Sequence, residues 1–151
     1  MIEEAKEELK RADHLIFVSL KYTRTMDVLE SIVKRLIKSL EFGLEGLLLW
    51  LHKRKKIKEI PNTYKSKIEV LRRSFSKDKV IQDLLKFYSF LIRVDRARHE
   101  RKSEFRKGVA LIAIDELGDV IEEVNIEKVK DYYLKTIEFL VYIEEYLGKK
   151  R

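Results

Sequence analysis

The sequence contains no cysteine, and among its 151 residues only one proline, five glycines and three histidines. Without cysteine there is no disulfide framework, no thiolate zinc site and no cysteine nucleophile, which excludes redox chemistry and a disulfide-stapled secreted scaffold. The glycines are scattered and form no glycine-rich turn before a helix, so a phosphate-binding loop is excluded as well. We therefore expect a protein of the cell interior, with a cytoplasmic location.

The histidines also lack the spacing that metal and hydrolase chemistry require. His14, His52 and His99 lie far apart, and none forms a His-x3-His pair on a helix. Structural and catalytic zinc sites draw several such ligands together. No Ser, His and Asp arrangement typical of a hydrolase triad is visible either. The sequence predicts no metal site and no cofactor.

Long hydrophobic runs are absent. The densest apolar stretch, Phe42 to Leu51, is interrupted by Glu45 and falls well short of the ~20 residues that a membrane span needs. The first residues are charged from Glu3 onward and have no apolar signal-peptide core. We expect no membrane association and no export signal.

What the sequence has in excess is positive charge: 33 Lys and Arg residues against 26 Asp and Glu, a formal net charge of +7. Residues 51–107 carry 19 basic and 7 acidic side chains, whereas residues 1–50 and 108–151 are each slightly acidic. Such a local excess favours a surface that contacts a polyanion. We expect such a contact from the densest basic run, which consists of Lys53, Arg54, Lys55, Lys56 and Lys58. The alternative is that this run is an ordinary charged helix end.

Apolar residues recur at three- to four-residue spacing and predict amphipathic helices. Two long helices are expected before residue 52, with one continuous kinked helix as the alternative. On the second, Ser39, Gly43 and Gly46 leave a flank without bulky side chains, which favours close packing against a helix or a dimer partner. The later helix starts are expected at Thr23, Thr25 or Asp27, after Pro61, at Ser76 or Asp78, and at Asn125.

These elements predict a single all-α domain over residues 1–151, an up-and-down bundle of four to five helices. Its hydrophobic content of 45% is enough to form a core. Residues 108–124 depart from the helical pattern, because two apolar, β-branched stretches flank a turn with Gly118. They predict a small β-hairpin insert, for which a helix over 103–117 is the alternative.

The stretch from Arg93 to Lys107 places His99 among several arginines. Arginine binds phosphate through two parallel hydrogen bonds and keeps its charge, while imidazole can move protons near neutral pH. We predict Arg93, Arg96 and His99 as catalytic residues, the arginines holding a scissile RNA phosphate and His99 acting as acid and base. The alternative is a solvated, salt-bridged helix. Further nucleic-acid contacts are expected from Arg98, Arg101 and Lys102.

This pattern resembles the HEPN family, whose motif is an arginine separated by four to six residues from a histidine near the end of a late helix. Arg93 and His99 match it, with Val-Asp-Arg-Ala-Arg between them, and the order of helices is similar over nearly the whole chain. The resemblance implies a homodimer with two facing motifs and, in many members, a metal-independent endoribonuclease of toxin or defence type. Other members bind RNA, nucleotides or proteins without catalysis.

The sequence thus predicts a HEPN-like RNA-binding domain, with RNA and a second copy of the chain as partners, and a protein antitoxin as a further candidate. The alternative is a non-catalytic helical interaction or adaptor protein that binds an acidic partner or nucleic acid. A small antitoxin or regulator dimer is a third hypothesis.

Overall fold

The computed structural model describes residues 1–149 and is mostly helical, with one small antiparallel sheet. A π-helical turn, Leu15–Ser19, joins the first two helices. The helices are α1 (Ile2–His14), α2 (Leu20–Tyr22), α3 (Met26–Lys53), α4 (Tyr64–Ser74), α5 (Lys79–Arg96) and α6 (Ile126–Lys149). The strands are β1 (Arg98–Lys102), β2 (Ala110–Ile114) and β3 (Val120–Asn125). The predicted helical fold with a β-hairpin insert is confirmed at this level.

Side-chain caps begin the later helices where the sequence predicts them. The Thr25 hydroxyl accepts a hydrogen bond from the Val28 amide at 3.4 Å, so the chain turns before α3 rather than continuing as one kinked helix. Thr63 caps α4, Asp78 caps α5 and Asn125 caps α6 in the same way. Local capping chemistry therefore sets these boundaries.

Helix α3 lies at the centre and packs against α1, α4, α5 and α6. The Ser39 hydroxyl donates a 2.8 Å hydrogen bond to the Ala5 carbonyl of α1. A Cβ at Gly43 would lie 2.8 Å from Leu140 Cδ2, so the missing side chain is what lets α6 approach this closely. The small-residue flank of α3 thus serves helix packing within one chain.

The sheet contains one strand more than the predicted hairpin, and this additional strand is β1. The apolar positions Val94, Ala97 and Phe105 predict, less clearly than those before them, that this helix continues, but α5 ends at Arg96 and Ala97 adopts an extended conformation (φ −69°, ψ 165°). The next five residues pair antiparallel with β2, from Arg98 opposite Ile114 to Lys102 opposite Ala110. Because β2 is apolar and mostly buried, it takes a strand on each side, and the charged segment becomes an edge of the sheet.

The hairpin of β2 and β3 forms as predicted, with a register shift between Ala113 and Ile114, so the alternative helix over 103–117 is wrong. The class is therefore helical with a three-stranded sheet rather than all-α. Within residues 1–149, no helix has both the length and the apolarity required to cross a membrane.

Candidate functional site

The Arg93–His99 segment spans the end of α5 and the start of β1. Arg93 and Arg96 lie in the last turn of α5, where both side chains are exposed. His99 is the second residue of β1, and only 9% of its side chain is accessible. Since the chain becomes extended at Ala97, the arginines and the histidine do not share a helix face, and they lie in different surroundings.

The His99 ring is enclosed by hydrogen-bond acceptors of the protein itself. Its Nδ1 lies 2.6 Å from Glu30 Oε2 on α3, and its Nε2 lies 2.6 Å from the Val94 carbonyl oxygen. Both ring nitrogens are therefore occupied, and neither is directed at a substrate. In this arrangement His99 ties the edge strand β1 to α3 and to the end of α5.

Three arginines instead converge on an open cavity of about 580 Å³, which we call the arginine cleft. Arg93, Arg96 and Arg98 line it on the side of α5 and β1, and Asp115 and Glu116 line it from the turn between β2 and β3. Its remaining lining is apolar or aromatic and consists of Tyr64, Ile92, Ala97, Ile114 and Ile121, together with Gly118.

The first two of these arginines are available to a ligand. Among residues 1–149, neither Arg93 nor Arg96 forms an ion pair with a carboxylate. Asp95, which lies between them in sequence, pairs with Lys34 at 2.8 Å instead. Arg98 lies 3.5 Å from Glu100, in an exposed pair. Guanidinium groups without a carboxylate partner, gathered around a cavity, form a site for an oxyanion such as phosphate.

An aromatic residue that the sequence analysis missed lies at the rim of this cleft. The Arg96 guanidinium carbon lies 5.3 Å from the centre of the Tyr64 ring, within cation–π range. Tyr64 in turn packs on Tyr88, with the ring centres 5.7 Å apart. Burial raises the pKa of Tyr88, and Glu41 adds to the shift, so the hydroxyl stays protonated and donates to Glu41 at 2.9 Å.

No sequence signal connects Tyr64 with Arg96, because they are 32 residues apart and meet only through the packing of α4 on α5. The buried Tyr88, whose ring is tilted 56° from that of Tyr64, supports the Tyr64 ring from within the protein. The cleft therefore combines a fixed aromatic ring, that of Tyr64, with the guanidinium group of Arg96, which lies against this ring.

The other predicted contacts on β1 are engaged with carboxylates. Arg101 lies 3.2 Å from Glu104 and 3.8 Å from Asp27, and Lys102 lies 2.5 Å from Glu123 across the sheet. Neither residue lines the arginine cleft. These pairs are exposed, so each side chain can still exchange its partner.

The basic run Lys53–Lys58 lies at the other end of α3. Arg54 and Lys56 place their cationic groups 5.2 and 5.4 Å from the centre of the Trp50 ring. Lys34, which contacts Asp95 beside the arginine cleft, precedes Lys53 by 19 residues, or about 28 Å along the helix. The basic middle third of the sequence is thus divided between two distant surfaces.

Over the described residues 1–149, no cluster of three or more His, Cys, Asp or Glu side chains is arranged to hold a metal ion. No family model matches the chain, and neither curated proteins nor solved structures show a match to it. The geometry of the arginine cleft is therefore the main basis for a functional proposal.

Proposed function

We propose that this domain binds RNA through its phosphates, with the arginine cleft as the primary contact. The observation that carries the proposal is the convergence of Arg93, Arg96 and Arg98 on one cavity, the first two without carboxylate partners among residues 1–149. Arginine forks match phosphate geometry, and the surrounding positive charge attracts a polyanion. The apolar lining and Tyr64 offer surfaces for a base beside the phosphate, which favours a nucleic acid over an acidic protein. The resemblance to the HEPN family favours RNA.

His99 has a positioning role in this proposal rather than a catalytic one. Through Glu30 and Val94 it holds β1 against the helices, and so places Arg98, the residue before it, at the cleft. RNA cleavage without a metal and a homodimer whose second protomer completes the site stay predictions. The up-and-down order of the helices, which was predicted from the helical pattern of the sequence, also stays a prediction.

The test is RNA binding measured by fluorescence anisotropy at several salt concentrations in EDTA. The double variant Arg93→Gln/Arg96→Gln is expected to bind at least about tenfold more weakly and to lower the slope of log Kd against log salt by about 1.4 units, because it loses two phosphate contacts. The matched control is Lys10→Gln/Lys21→Gln, which removes two exposed charges from α1 and α2.

Equal weakening by both double variants would contradict the proposal, since it would show that net charge alone determines binding. Stronger competition by polyglutamate than by unlabelled RNA would favour the alternative, an acidic protein partner.

A further inference from the structure

A second cavity adjoins the arginine cleft along α5 and shares Arg93 with it. It measures about 320 Å³, and we call it the lysine cleft. Its lining comprises Arg72, Gln82, Leu85, Lys86, Ser89, Phe90 and Arg93. On α5, the positions Gln82, Lys86, Ser89, Arg93 and Arg96 recur at three- to four-residue spacing and so form one stripe of the helix surface. This stripe extends over about 21 Å.

The two clefts repeat one pattern of chemistry. In the lysine cleft, Lys86 is exposed and has no ion-pair partner among residues 1–149, while Arg72 pairs with Glu69 on the surface. Leu85 is buried below them, and Phe90 is half-buried with its ring 5.9 Å from that of Tyr132. Each cleft therefore has cations, apolar side chains and one aromatic ring, the combination found where single-stranded nucleic acids bind, although the arginine cleft also contains Asp115 and Glu116.

We infer that the two clefts form one continuous track for a single-stranded segment of RNA, with Arg93 binding the phosphate at the point where they meet. The inference rests on the proposed RNA-binding function and specifies its substrate. The apolar linings lie in cavities beside α5, so a base can reach them only when it is not held in a duplex, where bases are stacked inside and phosphates lie outside.

The length of the stripe sets the number of nucleotides. At a base-stacking distance of about 3.4 Å, 21 Å corresponds to roughly six stacked nucleotides, and to fewer when the strand is extended. The binding site should therefore hold several nucleotides rather than one.

Charge indicates where the track ends. Beyond Tyr64, the next cavity is lined by Glu41 and Glu45 as well as by Lys38 and Lys67, and Lys67 pairs with Glu45 at 3.7 Å. The two lysines and two glutamates of this cavity balance, whereas the arginine cleft has three arginines against Asp115 and Glu116, so a further phosphate is less favourable here.

At its other end, α5 begins beside Phe75, whose ring lies 6.3 Å from Trp50. A longer strand would therefore leave the lysine cleft toward the end of the molecule that carries Lys53–Lys58.

The test uses fluorescein-labelled oligouridylates of two, four, six and eight nucleotides, and a duplex RNA of about twelve base pairs, with the full chain in EDTA. Affinity is expected to rise from two to about six nucleotides and then to level off, and the hexamer should bind at least tenfold more tightly than the duplex. Lys86→Gln should weaken hexamer binding about three- to tenfold and leave dinucleotide binding unchanged. Lys10→Gln, an exposed lysine of α1, is the matched control.

Three results would overturn the track: a dinucleotide that binds as tightly as a hexamer, a duplex that binds as tightly as a single strand, or a Lys86→Gln variant that behaves like Lys10→Gln. In each case, weaker RNA binding by the Arg93→Gln/Arg96→Gln variant would still support the arginine cleft as a phosphate site. If no oligonucleotide binds in a salt-dependent manner, the proposed function itself is wrong.

Discussion

Arg93 and His99 are only six residues apart, yet their surroundings are opposite. His99 is almost enclosed, and each ring nitrogen contacts an oxygen atom of the protein at 2.6 Å. Arg93 is exposed, has no carboxylate partner among residues 1–149 and lines two cavities. One end of the segment is used to hold the fold together, and the other faces solvent.

The spacing of an arginine and a histidine in the sequence therefore does not determine whether they act together. An unbroken helix would place residues six apart about 120° from each other, and here the helix ends between them. What decides the role of each side chain is which groups the neighbouring elements present to it. Glu30 on α3 contacts His99, whereas Asp95, the carboxylate nearest to Arg93 in sequence, pairs with Lys34.

The largest effect that separates the two residues is expected in stability. His99→Ala should lower the free energy of unfolding by about 2–3 kcal/mol, because it removes both hydrogen bonds and leaves the Glu30 carboxylate without its partner. Chemical denaturation monitored by circular dichroism measures this change. Arg93→Ala is the control and should leave stability nearly unchanged. Equal stability of the two variants would contradict the structural role of His99.

A smaller effect should separate the two basic ends of the molecule. Replacing Lys53, Arg54, Lys55 and Lys56 by Gln is expected to leave hexamer binding unchanged, since none of these residues lines the arginine cleft or the lysine cleft. A 20-nucleotide RNA can reach this end, and its salt dependence should become shallower because phosphate contacts are lost. Anisotropy titrations with both lengths measure the difference. Weakened hexamer binding would place the run within the primary site, and an unchanged slope for the long RNA would make it an ordinary charged helix end.

The smallest effect is expected in RNA cleavage. Incubated with structured and single-stranded RNA in EDTA, wild type and His99→Ala should give equal product on a denaturing gel, at a temperature where both remain folded. The reason is that neither nitrogen of the His99 ring is free to transfer a proton. Cleavage by wild type that His99→Ala abolishes would instead make His99 a catalytic residue.

Much of the helical framework was predictable because its signals are local. Thr25, Asp78 and Asn125 each bind a backbone amide three residues later, so a cap can be recognised within one turn. The hairpin of β2 and β3 was predictable for a similar reason, since both strands and their turn are adjacent in sequence. Strand β1 was not, because Arg-His-Glu-Arg-Lys has no strand pattern and becomes a strand only where β2 offers its edge.

Local sequence signals are enough to locate the starts of the helices, the apolar faces that form the core, and the concentration of positive charge in residues 51–107. Which of those charges come together depends on how the elements pack. Periodicity and capping act over a few residues, whereas Glu30 reaches His99 across 69 positions and Tyr64 reaches Arg96 across 32. Packing of α4 on α5 and pairing of β1 with β2 bring three arginines together at one cleft and place the His99 ring nitrogens against protein oxygen atoms. The basic run Lys53–Lys58 lies apart from them, at the other end of α3.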